Sequence, residues 1–356
     1  FTSIGGQARN RIAEVNISDG LATAWDPNAN STVSAIAVSG ATVYVGGSFG
    51  TIGGQARNAI AAILASDGTA TSWSPGAVGG GVSSIAVSGT TIYVGGGFIF
   101  AGGLSRNRIA ALDAASNTAL AWNPNANNAV STLAVSGSTV YAGGSFTSIG
   151  GQTRNRIAAI DTSTGTATAW DPNPAGNAVN VISLSGSVMF VGGFYTHMSG
   201  QIRNRIAAID TSTGNVTSWN PNANSEVKTV GVSGGTVYAG GDFTTIGGQT
   251  RNRIGALDGT TGVATAWDPN SSSTVNTLAI SGSGTTVYAG GGFSTIGGQS
   301  RNRIAALDAT TGAATAWNPG ADSTVTTLAV SGTTIYVGGF FTIIGGQVRP
   351  YLGALD

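Results

Sequence analysis

Cysteine is absent and charge is scarce: Asp, Glu, Lys and Arg make up 8% of the 356 residues and sum to a formal net charge of zero. Without cysteine there is neither a disulfide framework nor a thiolate metal site. Without a basic excess there is no electrostatic case for nucleic acid or for an anionic membrane. Histidine occurs once, at His197, and lysine once, at Lys228. An acid/base pair, a triad or a metal cluster has little to draw on, and the chain reads as a non-enzyme. No run approaches the ~18 apolar residues of a membrane-spanning helix, and no stretch reads as a signal peptide. Phe1 falls in the middle of a repeat, so the chain is expected to be a processed product or an excerpt of something longer.

What is present is periodic. Trp25, Trp73, Trp122, Trp170, Trp219, Trp267 and Trp317 recur at steps of 48, 49, 48, 49, 48 and 50, each followed by Asp, Asn or Ser and then Pro. The aromatic of a VYVGG-type segment keeps step at Tyr44, Tyr93, Tyr141, Phe190, Tyr238, Tyr288 and Tyr336. Within a repeat, alternation and turn residues mark four short strands. In one repeat they are 324–331, 333–340, 303–308 and 313–317, with a Ser-Gly turn after the first and an Asp-x-x-Thr-Gly turn after the third. Proline after each Trp ends the fourth strand, where a missing N–H does no harm. Four short strands in each repeat of this length predict an all-β, seven-bladed β-propeller with four-stranded antiparallel blades.

The repeats run at about 1–48, 49–97, 98–145, 146–194, 195–242, 243–292 and 293–340, within a single domain 1–356. Residues 341–356 repeat 1–16, so one strand is redundant: Phe341 matches Phe1 and Asp356 matches Asn16. The ring is expected to close by pairing of the N- and C-terminal segments, leaving over a third strand at 9–16 or at 349–356. That spare strand is either a terminus leading into a neighbouring domain or an arm exchanged with a like subunit, through 1–16 or 341–356.

The segment AALDATTGAATAW (305–317) resembles the Ala-x-Asp-x-x-Thr-Gly…Trp docking motif of quinoprotein-type propellers, with one more residue before the Trp. The longer pattern, of the type VYVGGSFTSIGGQARNRIAALD, resembles the delta-60-type repeat propellers of large bacterial surface and secreted proteins. The resemblance covers essentially the entire chain. It implies a propeller fold and an extracellular or cell-surface location, and no particular activity. It also implies that each Trp stacks between neighbouring blades while Asp and Thr-Gly shape the turn. Asp113, Asp161, Asp210, Asp258, Asp308 and Asp356 hold that turn position, and Asn16 and Leu64 depart from it.

Antiparallel strand order puts the two tight turns on one rim and the two longer links on the other, where binding residues concentrate. The longer links carry Arg57, Arg106, Arg154, Arg203, Arg251, Arg301 and Arg349, with Arg9 as a spare. A second arginine follows at Arg11, Arg108, Arg156, Arg205, Arg253 and Arg303, interrupted by Ala59 and Tyr351. A ring of guanidiniums suits carboxylates, sulfates or acidic glycans. One arginine per blade at fixed phase is equally what a structural tie looks like, and near-neutral charge favours that. Asn- and Asp-rich loops at 26–30, 123–128, 171–177, 220–225 and 268–273 offer oxygens of the kind Ca²⁺ takes, though without clustered carboxylates. No other cofactor is expected. One blade is irregular, with Met189, Tyr195, His197 and Met198, and with Glu226 and Lys228 soon after. The sequence thus favours a non-enzymatic, structural or adhesive extracellular module, joined to flanking domains or like subunits. The alternative is a multivalent glycan- or anion-binding propeller.

Overall fold

The computed structural model describes residues 10–341, together with the short strands Ser3–Ile4 and Ile343–Ile344. No helix occurs among the described residues, so none is long and apolar enough to cross a membrane. Seven antiparallel blade sheets follow one another, six of three strands and one, blade IV, with Gln201–Ile202 added as a fourth. Blade I comprises Val33–Ser39, Thr42–Gly47 and Ile60–Leu64, and blade II comprises Val82–Ser88, Thr91–Gly96 and Ile109–Asp113. Blade III is Val130–Ser136, Thr139–Gly144 and Ile157–Asp161; blade IV is Ala175–Ser185, Val188–Met198 and Ile206–Asp210. Blade V is Val227–Ser233, Thr236–Gly241 and Ile254–Asp258; blade VI is Val275–Ile280, Thr286–Gly291 and Ile304–Asp308. Blade VII takes Val325–Ser331 and Thr334–Gly339 from one end of the chain and Ile12–Asn16 from the other.

The first strand of each blade packs against the first strand of the next, and Val325–Ser331 packs against Val33–Ser39, which closes the inner ring. In blade VII, Ile12 pairs with Gly338 and Asn16 with Thr334. The N-terminal copy therefore fills the third-strand place, and the competing copy at 349–356 lies outside the described residues. Ser3–Ile4 and Ile343–Ile344, from the two redundant stretches, pair with each other in parallel.

The four-stranded blade expected from the sequence is corrected in one respect. The fourth strand shrinks to one bridge per blade, such as Ile63 with Ala70 or Leu112 with Ala119. On either side of the bridge Leu64 N–H bonds the Thr69 carbonyl and Thr71 N–H bonds the Ala62 carbonyl, while the outward N–H of the bridged residue goes to the link. Ala70 donates to Gly53, Ala119 to Gly102 and Ala167 to Gly150, all in the link between second and third strands. That link folds into a hairpin of its own, as at Thr51–Ile52 with Gln55–Ala56, and covers the outer edge. A covered edge offers no unpaired ladder to another chain.

Each blade is buried on both faces, so its third strand does not alternate: Ile157 to Ile160 are all at most 2% exposed. The apolar clusters lie between blades rather than within them. Tyr93, Ile109, Ala111 and Trp122 of blade II pack with Val130, Leu133, Val140 and Phe146 of blade III. A glycine pair in each second strand permits this closeness, the first toward the next blade and the second toward the blade's own first strand. A Cβ on Gly143 would stand 2.6 Å from Val179 Cγ1 of the next blade, and one on Gly144 would stand 2.2 Å from the Ala129 carbonyl oxygen.

Candidate functional site on the loop rim

The rim of tight turns is structurally self-contained. The Asp161 carboxylate accepts from the N–H and hydroxyl groups of Ser163 and Thr164 at 2.6–3.0 Å. Asp210 does the same with Ser212 and Thr213. The Ser163 hydroxyl leads the bonds that lower the Asp161 pKa from 3.8 to about 2, and the Ser212 hydroxyl does so for Asp210, also to about 2. A carboxylate whose folded pKa is depressed stabilises the fold above its unfolded pKa, and the contribution is lost as pH falls through the folded value. Carboxyl NMR titration is expected to place both midpoints near 2. Ser163→Ala should move Asp161 back toward the ordinary value and leave Asp210 unchanged.

Between blades, each Trp ring stands edge-on to the aromatic of its own blade and donates Nε1–H to the next blade's turn. Trp122 lies 5.1 Å from Tyr93, with interplanar angle 73°, and bonds the Asp161 carbonyl at 2.8 Å. The same bond runs from Trp73 to Asp113, Trp170 to Asp210, Trp219 to Asp258 and Trp267 to Asp308. Trp25 bonds Leu64 and Trp317 bonds Asn16, because a main-chain carbonyl serves whatever the side chain is.

On the opposite rim, the first arginine of each motif ties the link hairpin to the segment leading into Trp. Arg57 donates to the carbonyls of Ala56 and Thr71. Arg106 uses Ser105 and Leu120, Arg154 uses Thr153 and Thr168, and Arg203 uses Ile202 and Thr217. Arg251 uses Thr250 and Thr265, and Arg301 uses Ser300 and Thr315. Asp171 and Asp268 stand 3.7 and 3.6 Å from Arg154 and Arg251. The Nε atoms of these six arginines are buried without a hydrogen-bond partner. Burial pulls Arg106 below its ordinary pKa. Arg349 lies outside the described residues.

The second arginines sit at positive φ, 65° at Arg253 and Arg303, and Arg108, Arg205 and Arg303 donate to the Phe98, Tyr195 and Phe293 carbonyls in the link of their own blade. Arg156 reaches the carbonyls of Phe146, Gly176 and Asn177. In the Asn-rich loops the side-chain oxygens accept from other Asn amides, as from Asn107 to Asn125 at 2.7 Å and Asn204 to Asn222 at 2.7 Å. Of the irregular residues, Met189, Tyr195 and Met198 are fully buried core. His197 Nδ1 lies 3.0 Å from the Thr196 hydroxyl. Lys228 stands 3.0 Å from Asp242 and 3.6 Å from Glu226, which also accepts from Asn180. Despite the desolvation that opposes it, bonds from Thr274 and Lys228 hold Asp242 below its ordinary pKa.

Grooves of about 520 Å³ run between a link hairpin and the adjoining Trp-x-Pro loop. In blade III the lining sets Asn123, Asn125, Ser148 and Gln152 beside Pro124 and Ile149, and in blade VI it sets Asp268, Asn270, Thr295 and Gln299 beside Pro269 and Ile296. The corresponding groove of blade II is lined by Ala56, Pro75, Val78, Phe100 and Ala101, among others. Val78 and Phe100 there are 55% and 47% exposed, Leu104 on the strand paired with Ala101 is 46% exposed, and none of them was a sequence candidate. Comparing the repeats with one another finds them: Phe100 stands where other repeats carry Thr51, Ser148, Thr245 and Thr295.

Sheets arranged around a ring, with one Trp docking each blade to the next, define a β-propeller of quinoprotein-type repeats. Residues 8–267 and 151–339 match the model of the family described as outer membrane protein assembly factor BamB, and the chain belongs to that family. Two solved structures are similar in fold. One is the computationally designed Ika8 protein, at 16% identity and TM-score 0.57, covering 88% of this chain and 95% of that one. The other is a chain of the mitotic checkpoint complex, at 15% identity and TM-score 0.57, covering 84% of each chain. No curated protein matches the sequence.

Proposed function

We propose that the chain is a non-enzymatic interaction module: a rigid, extracellular or cell-surface propeller that presents its loop rim to a protein partner. The observation that carries this reading is a contrast on the rim. Its repeated arginines and asparagines hydrogen-bond within the rim, whereas the blade II groove leaves the large apolar side chains of Val78 and Phe100 exposed. Apolar side chains left on such a surface mark contact with another protein. Membership of a repeat-propeller family is consistent with a scaffold role.

The second reading, a multivalent glycan-binding propeller, draws on the polar side chains repeated in the grooves of blades III and VI. One experiment separates the two. The full chain is applied to a glycan array and, in parallel, panned against a random-peptide phage library. Peptide enrichment with a blank array is the expected result. Array binding that falls on Arg154→Ala or Arg301→Ala, without peptide enrichment, would overturn the first reading in favour of the second.

A further inference from the structure

We infer that blades I and II together form a docking site for an acidic, apolar segment of a partner protein. This rests on the interaction-module reading and adds where the partner binds and what its chemistry is.

Blade II departs from its siblings at one place and in one direction. In blades I, III and V an Asn side chain caps the link hairpin, as Asn127 Oδ1 accepts from the N–H groups of Thr147 and Ser148 at 2.9 and 3.1 Å; Ser272 does so in blade VI, and blade IV instead pairs the backbone of Ala175 with His197. Val78 stands at that position in blade II, and its main-chain carbonyl accepts from Ile99 N at 2.9 Å instead. Backbone pairing of Val78 with Phe100 replaces the cap, so neither side chain is needed for the hairpin. Leu104 stands where Gln55, Gln152, Gln249 and Gln299 stand in other repeats.

A second departure opens space beside them. Arg108, Arg156, Arg205 and Arg303 place a guanidinium on the link carbonyl at this position, and Arg156 also reaches the Gly176 and Asn177 carbonyls at the start of blade IV. Their counterpart in blade I is Ala59, which can do neither, and the facing link is Gly79, Gly80 and Gly81. A cleft of about 470 Å³ results, lined by Phe49, Asn58, Ala59, Val78 and those glycines. Val78 borders this cleft on one side and the apolar groove on the other.

Charge identifies the partner's other property. Between residues 27 and 170 the only carboxylates are Asp67, Asp113 and Asp161. All three cap tight turns on the opposite rim. The loop rim of this sector carries Arg57, Arg106 and Arg108, which donate to carbonyls and have no carboxylate within 4.0 Å among the described residues. Uncompensated guanidiniums around an apolar patch favour an acidic segment with apolar anchors, and steer its approach. A second copy of the chain is the poorer occupant, since a few side chains fall well short of the ~800 Å² per partner of a stable interface.

The test uses peptides that the full chain enriches from a random-peptide phage library, resynthesised with a fluorophore and measured by anisotropy. Enriched sequences are expected to combine Asp or Glu with Leu, Ile or Phe, and to bind more weakly as salt rises. Two variants install what the sibling blades already carry: the combined Val78→Asn, Phe100→Thr and Leu104→Gln, and separately Ala59→Arg. Each should weaken binding by about ten-fold or more, with circular dichroism and melting midpoint unchanged. Should the triple variant fail to fold, Ala59→Arg and Leu104→Gln alone serve. Peptides that bind both variants as well as the parent, or that are basic, would overturn this inference and leave the interaction-module reading standing. No enrichment at all would overturn that reading as well. Self-association in light scattering that the triple variant abolishes would assign the patch to a second copy.

Discussion

Trp122→Ala is expected to destabilise the propeller by about 3–5 kcal/mol, the range for removing a large buried aromatic. Trp122 is 5% exposed and is the joint between two blades. Its ring packs on Tyr93 in blade II, and its Nε1–H reaches the Asp161 carbonyl at the far end of blade III. Truncation to Ala leaves a void between sheets that cannot collapse, because each blade is held by its other neighbour in the ring. It also leaves the carbonyl to water. Trp122→Phe separates the two contributions: it keeps most of the packing and removes the hydrogen bond, so a loss nearer 1 kcal/mol is expected beyond any volume change. Chemical denaturation of parent, Trp122→Ala and Trp122→Phe measures both. Hydrogen exchange should show the loss of protection concentrated in blades II and III. An Ala variant as stable as the parent would mean that blade docking does not rest on the Trp.

Gly144→Ala should cost as much or more, for the opposite reason. The added Cβ would lie 2.2 Å from the Ala129 carbonyl oxygen and 3.0 Å from Val130 Cα. Both are backbone atoms of the paired strand, at the point where the register slips between Val130 and Thr132. Backbone cannot move aside as a rotamer can, so the bulge itself must open. A cost above the ~1–3 kcal/mol of ordinary overpacking follows. Two neighbouring glycines grade the effect. Gly143→Ala meets the side chains of Val179 and Thr132, which can shift, and should cost less. Gly151→Ala meets nothing within 4 Å and carries only the strain of φ +75°, about 1–2 kcal/mol. The order Gly144, Gly143, Gly151 in denaturation midpoints is the expected outcome, and equal losses at all three would refute it.

Much of this molecule is legible in its residues, and the reason is repetition. A Trp, a Tyr and a Gly-Gly pair returning in step give the strands, the turns and the propeller, because each repeat must bury its faces against the next. The roles of the turn carboxylates could be read because Asp followed by Ser or Thr bonds its own backbone, a local matter. The fourth strand was misread because its fate is not local. The N–H of Ala70 goes to Gly53 in a folded-back hairpin, and no alternation within 68–73 records that.

The termini and the rim show the same division. Two copies of one stretch compete for one place, and only the assembled ring decides that Ile12–Asn16 pairs with Thr334–Gly339. Arginine spacing marked the loop rim, yet whether a guanidinium faces outward depends on the carbonyls that the fold brings within its reach, as Thr71 and Ala56 are for Arg57. Local patterns, set by residues a few positions apart, were determined by the sequence alone. Partners 14 to 329 residues away, like those that join Arg57 to Thr71 and Arg11 to Phe340, exist only once the blades have closed, so only the tertiary structure could decide them.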